Sequence, residues 1–426
     1  MRVLMFGWEY PPHITGGLGT ACFGLTKAMV NQGDEVIFIV PKAYGDESTE
    51  AARIVNASDV VIDLSSDYYK EYWSNLSYIE VNSKLIPYVG MDDYYNVINR
   101  RVKDREETAH LNSKRKYEFT GKYTSSLMDE VEKYAMVAAS MARDYDYDII
   151  HAHDWLTYKA GIVAKNISGK KLVIHVHATE FDRSGENINQ AVFDIEKYGM
   201  DNADHIVCVS DLTKNIVITR YGQNPDKVST IYNGANSLIY KDIQVEKAVK
   251  EKVVTFLGRI TFQKGPDYFI EAAAKVLKYD KNIRFVMAGS GDMLNRMVAL
   301  VAKKRISKHF HFTGFLKGDD VTKMFALSDV YVMPSVSEPF GISPLEAMNA
   351  NVPVVISKQS GVSEVLKYAI KVDFWDIDAM ANAIYCLVHY PALSKMFIKK
   401  GKKEVEEIRW EDSAKKLRNL YYKLLS

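Results

Sequence analysis

Short apolar runs recur along the chain, separated by stretches whose apolar positions fall at helical spacing. Residues 3–6 form the first run, followed by a Pro/Gly loop, a helical pattern over 20–32 stopped by Gly33, and a second run at Glu35–Val40. That order is a βαβ unit. Further strands are predicted at 148–151, Leu172–Val176, 205–209 and 229–232, with helical stretches between several of them. The alternation restarts at 253–257 and continues through Ile283–Ala288, 309–313, Val330–Met333 and 352–356. Unbroken apolar runs suit strands buried on both faces, so the pattern predicts an α/β protein with two doubly wound parallel sheets. The polar stretch 236–252 reads as the linker, and 402–425 as one amphipathic helix with Trp410, Ala414, Leu417, Tyr421 and Leu425 as its apolar stripe.

One region breaks the rhythm. Residues 67–119 are dense in tyrosine, with Trp73, and include a charged run at 99–116. They read as elaborated loops and hairpins whose amphipathic rings suit stacking on sugars. Composition changes the picture only by exclusion. At 426 residues the chain is long enough for two domains. A net charge of +1, from 55 basic and 54 acidic residues, gives no electrostatic case for nucleic acid. Cys22, Cys208 and Cys386 are unpatterned, as in a reducing compartment. Met1-Arg2 leads directly into a strand and no apolar run reaches membrane-spanning length, so neither a secretory signal nor a transmembrane segment is expected, and the location is expected to be cytoplasmic.

The candidate chemistry lies where strands end. After Val330–Met333 comes 334–348, with Glu338 and Glu346 flanking Phe340-Gly341. Loops at the carboxyl ends of strands are where open α/β sheets place their ligands. Glycine at 341 lets the backbone approach a ligand, and the helix start beyond it offers free N–H groups. Ser343-Pro344-Leu345-Glu346 is also a capping-box pattern, which would leave Glu346 a purely helical role. A second loop carries Gly258-Arg259 and Lys264-Gly265, a planar cation and a point cation suited to phosphate oxygens. In the first half, Thr15-Gly16-Gly17-Leu18-Gly19 stands between a strand and a helix start. His151-Ala152-His153-Asp154-Trp155 and His175-Val176-His177 end two strands. Residues i and i+2 share a strand face, so the four histidines could together bind a metal. The acidic triplet Asp144, Asp146, Asp148 precedes its strand and reads as solvated loop acids.

The two glutamates with seven residues between them, the Gly-Arg-x4-Lys-Gly loop, the diglycine and the His-Asp-Trp segment together resemble the retaining nucleotide-sugar glycosyltransferases, family 4, and the related glycogen and starch synthases. Ile14 stands where those synthases commonly have lysine, and Asn351 where the family often has glycine. The resemblance implies two Rossmann-like domains facing a cleft, the GT-B arrangement. The expected division is 1–240 on the acceptor side and 248–405 for the nucleotide sugar, with a terminal helix at about 406–426 packing back on the first domain. It further implies transfer of a hexosyl group, foremost glucose, from a nucleoside diphosphate sugar to a glycan acceptor, with mannose or N-acetylglucosamine as alternative donors. Glu338 and His153 would stand at the transferring sugar. Gly16, Gly17, Arg259, Lys264, Phe340, Gly341 and Glu346 would bind the donor. No essential metal or other cofactor is expected. The competing reading from the residues is a metal-dependent hydrolase using His151, His153, His175 and His177.

Overall fold

The computed structural model describes residues 1–13, 16–48, 51–63, 114–123, 126–235 and 249–426. Most of the tyrosine-rich stretch, most of the linker, and Ile14 and Thr15 lie outside the described residues. In the first half the strands are β1 (Arg2–Phe6), β2 (Glu35–Val40), β3 (Arg53–Asn56), a short antiparallel pair β4 (Ile62–Asp63) and β5 (Lys114–Arg115), β6 (Ile149–His153), β7 (Leu172–Val176), β8 (His205–Cys208) and β9 (Val228–Thr230). Seven of them form a parallel sheet in the order β3-β2-β1-β6-β7-β8-β9. The second half contributes β10 (Lys252–Leu257), β11 (Ile283–Ala288), β12 (Phe310–Gly314), β13 (Val330–Met333), β14 (Val354–Ser357) and β15 (Ile370–Val372), ordered β12-β11-β10-β13-β14-β15. In each sheet the order reverses beside the first strand, at the β1–β6 and β10–β13 neighbours, and such switch points open crevices at carboxyl ends.

Each sheet is covered by helices on both faces, and their apolar sides make the cores. On one face of the first sheet, Val3, Met5, Phe38, Ile149 and Val173 pack against Cys22, Leu25 and Met29 of the helix Gly17–Asn31. The terminal helix Trp410–Leu425 joins the same core through Trp410, Ala414, Leu417 and Tyr421, so the end of the chain braces its beginning. The predicted single helix over 402–425 is corrected to two, Pro391–Glu407 and Trp410–Leu425. The break is tertiary in origin: the Ala235 N–H donates to the Ile408 carbonyl at 2.9 Å, and residues 234–235 cross closely over 409–410. Strands β3 and β15 escaped the sequence reading, since both are short and only partly buried. Asp146 and Asp148 both hold Arg2, through its guanidinium and its backbone N–H respectively, which ties the acidic triplet to the first strand. Asn351 adopts φ 62°, a left-handed turn that asparagine tolerates better than most residues. No helix among the described residues is long and apolar enough to cross a membrane.

The two halves meet along the carboxyl edges of their sheets. Ser337 Oγ donates to Asp182 Oδ1 at 2.5 Å, and Gly361 lies against Ser210. Across the same seam, Glu364 accepts the N–H groups of Asp211 and Leu212 at 2.9 and 2.7 Å. Those groups begin the helix Asp211–Arg220, so a carboxylate from the second half caps a helix of the first. Glu364→Ala should therefore lower unfolding free energy by about 1 kcal/mol, the usual range for a lost cap. Denaturant melts of the two proteins provide the check; coincident curves would show that water replaces the cap without loss.

Candidate active site

The loop after β13 folds over a glycine that only this geometry requires. Gly341 has φ 101°, and a Cβ there would come within 3.1 Å of Glu338 Cγ and of the Met333 side chain. Glycine thus lets the chain double back, which brings Glu338 toward the sheet edge with Phe340 buried beneath it. Glu338 is only 6% exposed, and its backbone pairs with Ser360 and Gln359. A carboxylate so placed needs a partner. It has two: the Lys264 ammonium, in a close ion pair, and Ser335 Oγ at 3.2 Å. Lys264 is held in that position by Gly265, whose φ of 61° and contact with the Pro334 carbonyl leave no space for a side chain.

Arg259 extends from the end of β10 and stays exposed, with Gln263 Oε1 3.5 Å from its guanidinium. The Tyr123 hydroxyl, hydrogen-bonded to Glu9, lies within electrostatic reach of this guanidinium across the cleft. Gly16 and Gly17 are exposed at the start of the helix Gly17–Asn31, an end that no side chain caps. Glu346 lies one turn into the helix Ser343–Asn349. The capping box read from sequence does not form: Ile342 occupies the cap position, and Ser343 Oγ instead meets the Tyr331 hydroxyl at 2.8 Å. The Glu346 carboxyl has no hydrogen-bond partner among the described residues, and desolvation pushes its pKa up to about 7.

Opposite stands the carboxyl edge of the first sheet. His151, His153 and His175 are 0–2% exposed, and His177 is half-buried beyond β7. Asp154 has φ 60°, and its carboxylate accepts the His177 N–H at 2.7 Å. Burial raises the Asp154 pKa to about 6. Burial likewise pushes all four imidazoles below their ordinary range, so they are neutral at pH 7. The sequence reading missed the charged cluster behind them. Arg183 joins Glu180 and Glu196, while Asp182 closes a capping box with Thr179 and faces Ser337. The Thr-x-x-Asp spacing directly after His177 was the available signal for that short helix.

The structure therefore brings Glu338, Lys264, Phe340 and Gly341 into one loop cluster, with Arg259 and Glu346 at the same sheet edge. His153 and Gly16–Gly17 belong to the opposing edge. Known proteins carry the same architecture. The starch synthase catalytic domain matches residues 2–231, and the family described as glycosyl transferases group 1 matches 240–404. An uncharacterized glycosyltransferase of Methanocaldococcus jannaschii is 29% identical, with 99% of this chain and 98% of the relative covered. A glycogen synthase of Mycobacterium tuberculosis is 22% identical over 93% of this chain and 88% of its own. Among solved structures, sucrose-phosphate synthase from Thermosynechococcus elongatus superposes with a TM-score of 0.72 at 18% identity, covering 99% of this chain and 98% of that one. Anabaena HepE in complex with UDP-glucose gives 0.67 at 16% identity, covering 99% and 100%. Two parallel sheets apposed at their carboxyl edges, with family matches to both halves, make this chain a member of the glycosyltransferases of GT-B fold that include the glycogen and starch synthases.

Proposed function

We propose that the protein transfers a hexosyl group, foremost glucose, from a nucleoside diphosphate sugar to a glycan hydroxyl with retention of configuration. The observation that carries this reading is the Lys264–Glu338 pair, a cation and an anion side by side at the cleft edge of the second sheet. As the bond between sugar and phosphate lengthens, negative charge grows on the diphosphate, where Arg259, Lys264 and the Gly17 N–H would meet it. Positive charge grows on the sugar ring, near Glu338. His153 would hydrogen-bond the transferring sugar, and Glu346 the ribose. The leaving phosphate oxygen itself takes the acceptor proton, so no protein base is needed. Closure of the two halves over the donor would exclude water and suppress hydrolysis. UDP-glucose as the ligand of the Anabaena protein and glycogen synthesis by the mycobacterial relative support the choice of glucose over mannose or N-acetylglucosamine.

The hydrolase reading is set aside. That reading leaves the Arg259–Lys264 loop and both glutamates, Glu338 and Glu346, without a role. We propose that turnover requires no metal. Activity should survive exhaustive chelation unchanged; loss of turnover that added metal restores would refute this. The reaction itself is tested by incubation with a panel of sugar nucleotides plus glycogen, following nucleoside diphosphate release and the anomeric configuration of the product. Absence of acceptor-dependent release with every donor would overturn the proposal.

A further inference from the structure

The four histidines form a nest on one face of the first sheet. His151 and His153 are alternate residues of β6, and His153 stands in direct register with His175 on β7. Ring centroids of His151, His153 and His175 are 4.5–5.4 Å apart, and those of His175 and His177 are 4.4 Å apart. A sheet face under two helices ordinarily carries apolar side chains, as Ile149 and Val173 do on the same strands. Here imidazoles replace them, and their polar atoms are poorly satisfied. His151 Nε2, His153 Nε2 and both ring nitrogens of His175 are buried without a hydrogen-bond partner among the described residues. Each such atom costs about 1–3 kcal/mol unless something meets it.

We infer that this nest is a binding site for one borderline-soft divalent cation, such as zinc or cobalt, held by His151, His153 and His175. One ring nitrogen from each can be chosen so that all three lie within 4.8 Å of one another. Bonds of about 2.0–2.1 Å to a tetrahedral ion set nitrogens about 3.4 Å apart, so the rings must draw together when the ion binds. His151 also has the outer partner usual for a metal-bound histidine: its Nδ1 lies 2.6 Å from the Tyr421 hydroxyl, which leaves Nε2 to coordinate. A second triplet, Cys22, His153 and His177, shares His153, whose Nδ1 lies 3.0 Å from His177 Nε2, and His177 is its half-buried member.

The consequence for turnover rests on the proposed placement of His153 at the transferring sugar. A cation that takes the His153 lone pair withdraws it from the substrate, so the site inhibits and does not assist. Full-length protein stripped with chelator is titrated with Co²⁺, and visible absorption reads the coordination. One Co²⁺ per chain is expected, with the intense bands of a tetrahedral centre whose fourth ligand is water. His175→Ala should abolish those bands, and Tyr421→Phe, which preserves shape, should weaken affinity by about 10–100-fold. Turnover should fall as the bands grow and recover on chelation. Stoichiometric binding without loss of turnover would uphold the site and overturn the placement of His153. Failure of the unsubstituted protein to bind Co²⁺, or equal affinity in both variants, would overturn the site itself.

Discussion

Arg259→Ala and Lys264→Ala are each expected to lower kcat/KM by about a hundredfold or more, as removal of a group that meets developing charge typically does. The two should differ in everything else. Arg259 is exposed and, among the described residues, its one hydrogen bond is the long one to Gln263, so its loss should leave the melting temperature unchanged. Lys264 is the ionic partner of Glu338, which is almost fully buried. Removing one member of a buried pair strands the other, a loss of about 3–5 kcal/mol when burial is complete and less where water reaches the site. Lys264→Ala should therefore melt earlier as well as react more slowly, and Lys264→Ala combined with Glu338→Gln should recover stability without recovering turnover. Kinetics and thermal melts of the three variants make the comparison. Near-native turnover in Arg259→Ala would remove it from the diphosphate site, and an unshifted melt in Lys264→Ala would show that the ion pair is structurally idle.

The architecture was legible because parallel strands are covered on both faces. Runs such as Leu172–Val176, Ile283–Ala288 and Val330–Met333 have no polar alternation to confuse them, and the structure reproduces their limits. Arg53–Asn56, at the edge of its sheet, has no such signature. The end of the helix Pro391–Glu407 is fixed by a backbone crossing from residues 234–235, and neither Gly nor Pro marks it at 408–409. At the site, loop chemistry pointed to Glu338, Arg259 and Lys264 separately. Their grouping was less visible, since Lys264 and Glu338 are 74 positions apart and meet only because β10 and β13 are neighbours. The face shared by His151 and His153 followed from strand period. The tyrosine that anchors that face comes from the last helix, 270 positions away. Local pattern therefore located the strand ends, and sheet order decided which of them cooperate.

Glu346→Gln should weaken nucleoside diphosphate binding while leaving stability intact. With Ser343 turned to Tyr331, the helix does not use Glu346 in a capping box, so an isosteric amide disturbs no hydrogen bond within the protein. The carboxyl is partly buried, and desolvation raises its pKa to about 7. A carboxyl whose pKa rises on folding binds its proton more tightly folded than unfolded. Ionising it therefore lowers stability, and the loss is complete only above about pH 7. Glutamine avoids that loss, so the variant should be as stable as the parent at acid pH and slightly more stable above neutrality. Binding runs the other way. Two vicinal ribose hydroxyls donate best to an ionised oxygen, and hydrogen bonds to charged groups contribute about 1.5–3 kcal/mol. The parent should accordingly bind the nucleotide about 10–100-fold more tightly than the variant at pH 8. Bringing pH down through 7 should shrink that gap, because the parent must then give up a proton to bind. Calorimetric titrations of both proteins at pH 6 and pH 8 decide the matter. Equal affinities at pH 8 would exclude Glu346 from ribose binding and leave a strained carboxyl with no assigned purpose.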